Sequence, residues 1–325
     1  MSARMTIAQL RLNESVRKQA FLLREKVVSM TRAGDTILRV TLADRTGSLP
    51  GVMFDPPGYV TDSLVVGKGV EVSGRVSEFR GQLQITLERI TPTELTDLAA
   101  YLPTARRPQE EMEEELLQVW ESVQNPHLRA LLDTILGDEA TYRAYVQAPA
   151  AKTFHHACVG GLLEHTLSVV RLVQTACGLY EELDRDLAVT VALLHDLGKI
   201  RAYDPVSFDL TPEGSLWTHL YMGASMVEKA IDSLPGFDPE LRLRVVHAVL
   251  AHHGRLEHGS PTVPMTIEAM VLHYADNLDG DTRGAVERLS QGDEDSTIFT
   301  EFSPMHDTRL YRGGPNEPPG QRTLF

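Results

Sequence analysis

Five apolar segments of this 325-residue chain each carry an imidazole or a carboxylate at one end or along one face. His165 lies early in "GGLLEHTLSVVRLV", His195 and Asp196 end "LAVTVALLHDLGK", and His219 sits in "LWTHLYMGASMVEKAI". His252 and His253 end "VVHAVLAHHG" at Gly254, and "IEAMVLHYADNLD" sets His273, Asp276 and Asp279 three apart on one helical face. A lone histidine beside a core is ordinarily a hydrogen-bonded structural residue, whereas five such segments in one chain call for another explanation. Imidazole suits Mn, Fe, Co, Ni and Zn, and carboxylate adds hard oxygen that can bridge two ions. The mixed set therefore points to one or two divalent transition metals. Two ions about 3.5 to 4 Å apart can activate a water at neutral pH and clamp a phosphoryl group, so phosphoester hydrolysis is the expected reaction. Cys158 and Cys177 form no CxxC pair and read as small buried hydrophobes.

Rigid elements are needed to hold such a set. From 151 to 290 the chain reads as helical throughout, with Gly and Pro as punctuation. In "ALLHDLGKI" an apolar helix delivers His195 and Asp196, with Gly198 as the break and Lys199 beyond it. Residues 98 to 150 open on a Pro-containing linker and an acidic run at 110 to 115, then show helical spacing at Leu116, Leu117, Trp120 and Val123. They read as a helical connector. Residues 291 to 325, rich in Gly, Pro and charge, read as a weakly ordered tail. Residues 1 to 97 have an apolar period of two. Leu38, Val40 and Leu42 alternate before the "DRTG" turn, Val70, Val72 and Val76 before "FRG", and Leu83, Ile85 and Leu87 after it. Gly74 inside a strand marks a bulge or bend, as closure of a small barrel requires. The expected fold is multi-domain, a small antiparallel β-barrel followed by an all-helical domain.

Two resemblances sharpen this reading. "ILRVTLADRTGSLPGVMF" and "VGKGVEVSGRVSEFRGQLQI" resemble the oligonucleotide-binding (OB) fold of the anticodon-binding type, which implies a single-strand groove with basic and stacking residues. Arg39, Arg45, Arg75 and Arg80 are the candidates for phosphate, and Phe54 or Phe79 for bases, each set against a plain core or solubility role. The order H…HD…H…HH…D resembles the HD-domain superfamily of metal-dependent phosphohydrolases. It implies His165, His195, Asp196 and Asp276 around a first metal, and His219, His252 and His253 around a second, with Asp196 as the bridge. It implies that Lys199 approaches the substrate phosphate, giving Asp196 and Lys199 the catalytic roles. His155 and His156 are candidates for substrate contact, Glu164 and Glu257 for orienting ligand imidazoles, and His273 for a packed neighbour.

Together, the strings "LADRTG", "KTFHHACVGGLLEHT", "LLHDLGK", "AHHGRLEHGSP" and "PMTIEAMVLHYADNLD" resemble the bacterial YhaM-type 3'-5' exoribonucleases. That likeness implies removal of 5'-nucleotides from the 3' end of single-stranded RNA, with single-stranded DNA left open, and two divalent ions, Mn2+ ahead of Fe2+, Co2+ or Mg2+. Charge agrees with such a division of labour. The net charge is −14, but residues 1 to 97 carry 13 Lys+Arg against 11 Asp+Glu, so the acidic excess lies in the second part. A near-neutral barrel would grip the strand while metals supply positive charge locally. Two other readings remain: a phosphohydrolase of small nucleotides or cyclic dinucleotides with a regulatory barrel, and a non-enzymatic single-strand binder. No apolar run is long enough for a bilayer and no signal peptide opens the chain, so a cytoplasmic protein without membrane contact is expected; homo-oligomerisation is left open.

Overall fold

The computed structural model describes residues 5–30, 35–79, 81–152, 156–290 and 298–313. The chain divides into two compact units. Met1–Thr104 with Pro205–Ser207 form the first, and Ala105–Asp204 with Phe208–Phe325 the second.

The first unit is a closed barrel of β1 (Ser15–Met30), β2 (Thr36–Asp44), β3 (Gly47–Phe54), β4 (Gly69–Phe79) and β5 (Gln82–Thr93), with a short helix α1 (Gly58–Ser63) between β3 and β4. Strands run in the order β1-β2-β3-β5-β4. Closure departs from the purely antiparallel expectation, because β3 meets β5 in parallel at Gly51↔Ile85 and Val52↔Thr86. The crowding there requires glycine: a Cβ on Gly51 would lie 2.8 Å from Val40 Cγ2. Register shifts between Val16 and Gln19 and between Leu23 and Glu25 bend the long β1 so that it pairs with both β4 and β2. Gly74 sits at the register shift of β4 on β5, where a Cβ would lie 2.2 Å from Thr86 O. The period-two residues Leu38, Val40, Leu42, Val70, Val72, Val76, Ile85 and Leu87 fill the interior. Leu83, which shares that alternation, lies near the hairpin tip and is 37% exposed. At the "DRTG" turn the buried Asp44 accepts hydrogen bonds from Thr46 N, Thr46 Oγ1 and Ile7 N, fixing the corner.

The second unit contains α2 (Gln109–Glu121), α3 (Pro126–Leu136), α4 (Glu139–Gln147), α5 (Gly161–Cys177), α6 (Arg185–Leu194), α7 (Lys199–Ala202), α8 (Pro212–Asp232), α9 (Pro239–Ala251) and α10 (Ile267–Ser290). Asn125, Thr211 and Asp238 cap α3, α8 and α9 through their side chains, each followed by proline in the first helical turn. Every residue of α6 from Leu187 to Leu194 is buried, which marks it as the central helix. The expected connector is no connector. Met112, Leu116, Val119, Leu128, Leu132 and Ile135 belong to the same core as α5, α6 and α9, because α2 and α3 bury their apolar faces there.

The expectation of a weakly ordered tail also needs correction over its described part. Residues 299–311 form a hairpin of β6 (Phe299–Ser303) and β7 (Thr308–Tyr311). His306 at its turn donates from Nε2 to Asp281 O of α10 at 2.9 Å, and Met305 approaches Gly284. Among the described residues, no helix is long and apolar enough to cross a membrane.

Candidate metal centre

Helix α6 is the support of the centre. Its buried apolar turns end at His195, which caps the helix, and Asp196 follows. His165 comes from the second turn of α5, His219 from α8, His252 from the end of α9 with His253 after it, and Asp276 from α10. The structure brings the other six together around the Asp196 carboxylate. Its Oδ2 lies 3.5 Å from His165 Nε2 and 3.4 Å from His195 Nε2, while Asp276 Oδ1 lies 3.1 Å from His165 Nε2. Its other oxygen, Oδ1, lies 3.4 Å from His219 Nε2 and 3.6 Å from His252 Nε2. Two donor groups result, His165–His195–Asp276 and His219–His252–His253, each with atoms within 4.8 Å of one another.

Hydrogen bonds aim these imidazoles. Nδ1 of His195, His252 and His253 donates to the carbonyls of Ala192, Val249 and His258 at 2.8, 2.8 and 3.0 Å. Nδ1 of His165 donates to Asp279 Oδ2 at 2.8 Å. Each bond fixes the tautomer that leaves the Nε2 lone pair pointing inward, the usual arrangement behind a metal-binding histidine. What Nε2 faces confirms a metal fit. Oδ1 of Asp196 and the Nε2 atoms of His219 and His252 are buried without a hydrogen-bond partner, Asp196 Oδ2 meets Lys199 Nζ, and Nε2 of His165 and His195 face each other at 3.3 Å. Buried polar atoms left in this way are costly unless something else satisfies them, and a nitrogen–oxygen set of this kind suits divalent transition ions.

Charge is strongly organised here. Burial works against the charge of Asp196, and Lys199 and His195 overcome it, holding the carboxyl well below its ordinary range. Burial opposes the Lys199 ammonium too, yet Asp196, with Oδ2 2.6 Å from Nζ, raises it. Burial would lower His165, but hydrogen bonds to Asp276 and Asp279 raise it to about 9. In the other group burial prevails, leaving His219 well below its usual value and His253 lowered.

Backbone detail supports the ligand positions. Gly198, expected to break a helix, lies in the turn between α6 and α7 and itself keeps helical torsions. Its missing side chain is what matters, because a Cβ there would lie 2.0 Å from His219 O. Thr218, just before the candidate ligand His219, has φ +63° and ψ 154° inside α8, a region hostile to a β-branched residue. This kink turns His219 against the approach that Gly198 permits.

Other expectations fare differently. His156, a candidate for nucleic-acid contact, is 4% exposed and places Nδ1 3.0 Å from Glu164 Oε2 and Nε2 3.2 Å from Asp279 Oδ2. Both ring nitrogens are committed to buried carboxylates, so it is part of the scaffold. Glu257 is exposed and pairs with Arg255 instead of a ligand imidazole. His273 donates from Nδ1 to His252 O at 2.8 Å, and its ring fills the space that Gly254, at φ +78°, leaves free. Asp279 behind His165 was missed as an orienting group, although its place three residues after Asp276 was the available signal. His155 lies outside the described residues.

On the barrel, a groove of about 500 Å3 is lined by Arg39, Thr41, Phe54, Phe79 and Gln84, among others. Phe54 and Phe79 are 62% and 59% exposed, so neither is core. Arg39 donates to Ser29 Oγ at 2.8 Å. Arg45 lies in the exposed β2–β3 turn and does not line this groove, and Arg80 lies outside the described residues.

Comparison with known proteins agrees with both units. The HD domain family matches residues 162–281, and the family described as an OB-fold nucleic acid binding domain matches residues 22–93. An HD domain implies dependence on divalent metal. The chain is 33% identical over 288 residues to the 3'-5' exoribonuclease YhaM of Bacillus velezensis, covering 86% of this chain and 91% of that protein. It is 32% identical over 289 residues to the Bacillus subtilis protein of that name, with the same coverage. For the Bacillus pumilus protein the figures are 32% over 285 residues, 86% and 90%. Sharing a third of its residues over nearly the full length of these relatives, the chain belongs to the YhaM 3'-5' exoribonuclease family.

Proposed function

We propose that this protein is a metal-dependent hydrolase that shortens single-stranded RNA from the 3' end and releases 5'-nucleotides. The observation that carries the reading is Asp196, whose two oxygens face two separate three-residue donor groups. His165, His195 and Asp276 with Oδ2 would hold one ion, and His219, His252 and His253 with Oδ1 a second. Two ions there, Mn2+ before Fe2+, Co2+ or Mg2+, would supply Lewis-acid charge to a phosphoryl group and acidify a water for in-line attack.

The protein's own groups do the rest. Lys199 remains charged beside Asp196 and offers a cation to the phosphoryl oxygens as negative charge builds. The α6 core fixes the helix end, so the ligands keep their geometry through turnover. In the barrel groove, Phe54 and Phe79 present exposed rings for base stacking and Arg39 a cation for the backbone, a grip that tolerates any sequence.

Digestion of 5'-labelled single-stranded RNA with Mn2+ tests the proposal, with the matching DNA strand and a circular RNA in parallel. A ladder of shortened RNA with 5'-mononucleotides as product is expected, together with an intact circle. Asp196→Ala should reduce the rate about a thousandfold or more. Cleavage of the circle, or activity that survives Asp196→Ala, contradicts it.

A further inference from the structure

Behind His165 runs a line of buried polar groups that the hydrolytic chemistry does not itself use. Backbone N–H groups of Arg106 and Arg107 donate to Glu164 Oε1 at 3.2 and 3.3 Å. Glu164 Oε2 lies 3.0 Å from His156 Nδ1, His156 Nε2 lies 3.2 Å from Asp279 Oδ2, and the same oxygen accepts from His165 Nδ1 at 2.8 Å. Glu164, His156, His165 and Asp279 are all buried.

The local backbone is shaped to make this line. His156 has φ +61°, a left-handed conformation that few non-glycine residues adopt. Its carbonyl accepts from Ala150 N at 3.1 Å and presses on Gly161, where a Cβ would lie 2.0 Å from His156 O. A glycine at the start of α5 therefore lets the histidine reach Glu164 one turn later. Strain kept in a buried segment signals that the geometry it produces is needed. The other Nδ1-anchored ligands end on backbone carbonyls one turn away or in the next loop, whereas His165 alone ends on a side chain, Asp279, that could swing if nothing held it.

We infer that Glu164, His156 and Asp279 are positioning residues that hold His165 as a ligand of the first metal position, anchored on the Arg106–Arg107 backbone. This rests on the metal-centre reading above. None of the three touches substrate. Asp279 holds the imidazole, His156 holds Asp279, and Glu164 with its two amides holds His156. Loss of any one leaves His165 present but loose, and losses of this kind typically weaken metal ten- to hundredfold. The second position, built from His219, His252 and His253, shares no member of the line and keeps its affinity.

Titration of the full chain with Mn2+, following free Mn2+ by electron paramagnetic resonance, tests this. The wild type should bind two ions, and His219→Ala should weaken the class belonging to the second position. Asp279→Asn and His156→Ala should each weaken only the other class, about ten- to hundredfold. His156→Gln, whose amide can still donate to Asp279, should recover part of that loss. Glu164→Gln, one step further out, should show a smaller loss in the same class, and it serves if Asp279→Asn does not fold. Mn2+ affinity unchanged in these variants, or both classes weakened alike, overturns the inference. A wild-type chain that binds no Mn2+ overturns instead the metal-centre reading beneath it.

Discussion

The two halves of the candidate metal centre share one carboxylate and little else. On the His165 side, Asp276 adds a second negative charge and the imidazole is clamped by a buried carboxylate. On the His219 side the remaining donors are three imidazoles, and His219 follows the strained Thr218. Protonation reflects the contrast, with His165 raised to about 9 and His219 and His253 lowered. The first half is a charged, braced socket, and the second depends on how closely two backbone segments approach.

The largest effect that separates the halves is that of pH. Nε2 of His165 must lose its proton to bind metal, so below about pH 9 protons compete for the first position. Mn2+ affinity there should fall about tenfold per unit, roughly a hundredfold from pH 9 to 7, while the second position stays flat. Stability of the metal-stripped protein runs the opposite way. A histidine raised from 6.5 to about 9 stabilises the fold below pH 6.5, and that contribution fades as pH rises through 9. Isothermal titration with Mn2+ and thermal melts across this range check both. Equal pH slopes for the two positions would erase the contrast.

Gly198→Ala acts on the second half. Its Cβ would meet His219 O at 2.0 Å, backbone that cannot yield as a side chain can. We expect a loss of about 3 kcal/mol in stability and at least tenfold weaker Mn2+ at the second position, read from denaturant melts and metal titration. The smallest effect belongs to the barrel. Phe54→Ala should weaken single-stranded RNA binding by about 1 to 3 kcal/mol, measured by fluorescence anisotropy, with both metal positions untouched.

Much of this was visible in the residues. Polar groups ending apolar helices marked the residues that converge, because a helix as apolar as α6 has no packing reason to finish in His195 and Asp196. The period-two strands and Gly74 likewise announced the barrel. Contacts between distant segments were not visible. Asp279 meets His156 across 123 residues and His165 across 114, and nothing in the local pattern of either segment names its partner. The same limit hid the role of α2 and α3, since helical spacing shows that a face is apolar without showing what covers it. Gly198 marked the break between α6 and α7, but its second role was hidden for a related reason: glycine signals either unusual torsions or close approach, and only the position of His219 O decides between them.

Asp196 would serve both halves at once. Metal content of the wild-type chain and of Asp196→Ala, each dialysed against the same low-micromolar Mn2+ and measured by mass spectrometry, tests that most directly. Two ions per wild-type chain, and loss of both in the variant, are expected. An Asp196→Ala protein that is folded and keeps one ion at wild-type affinity would contradict it.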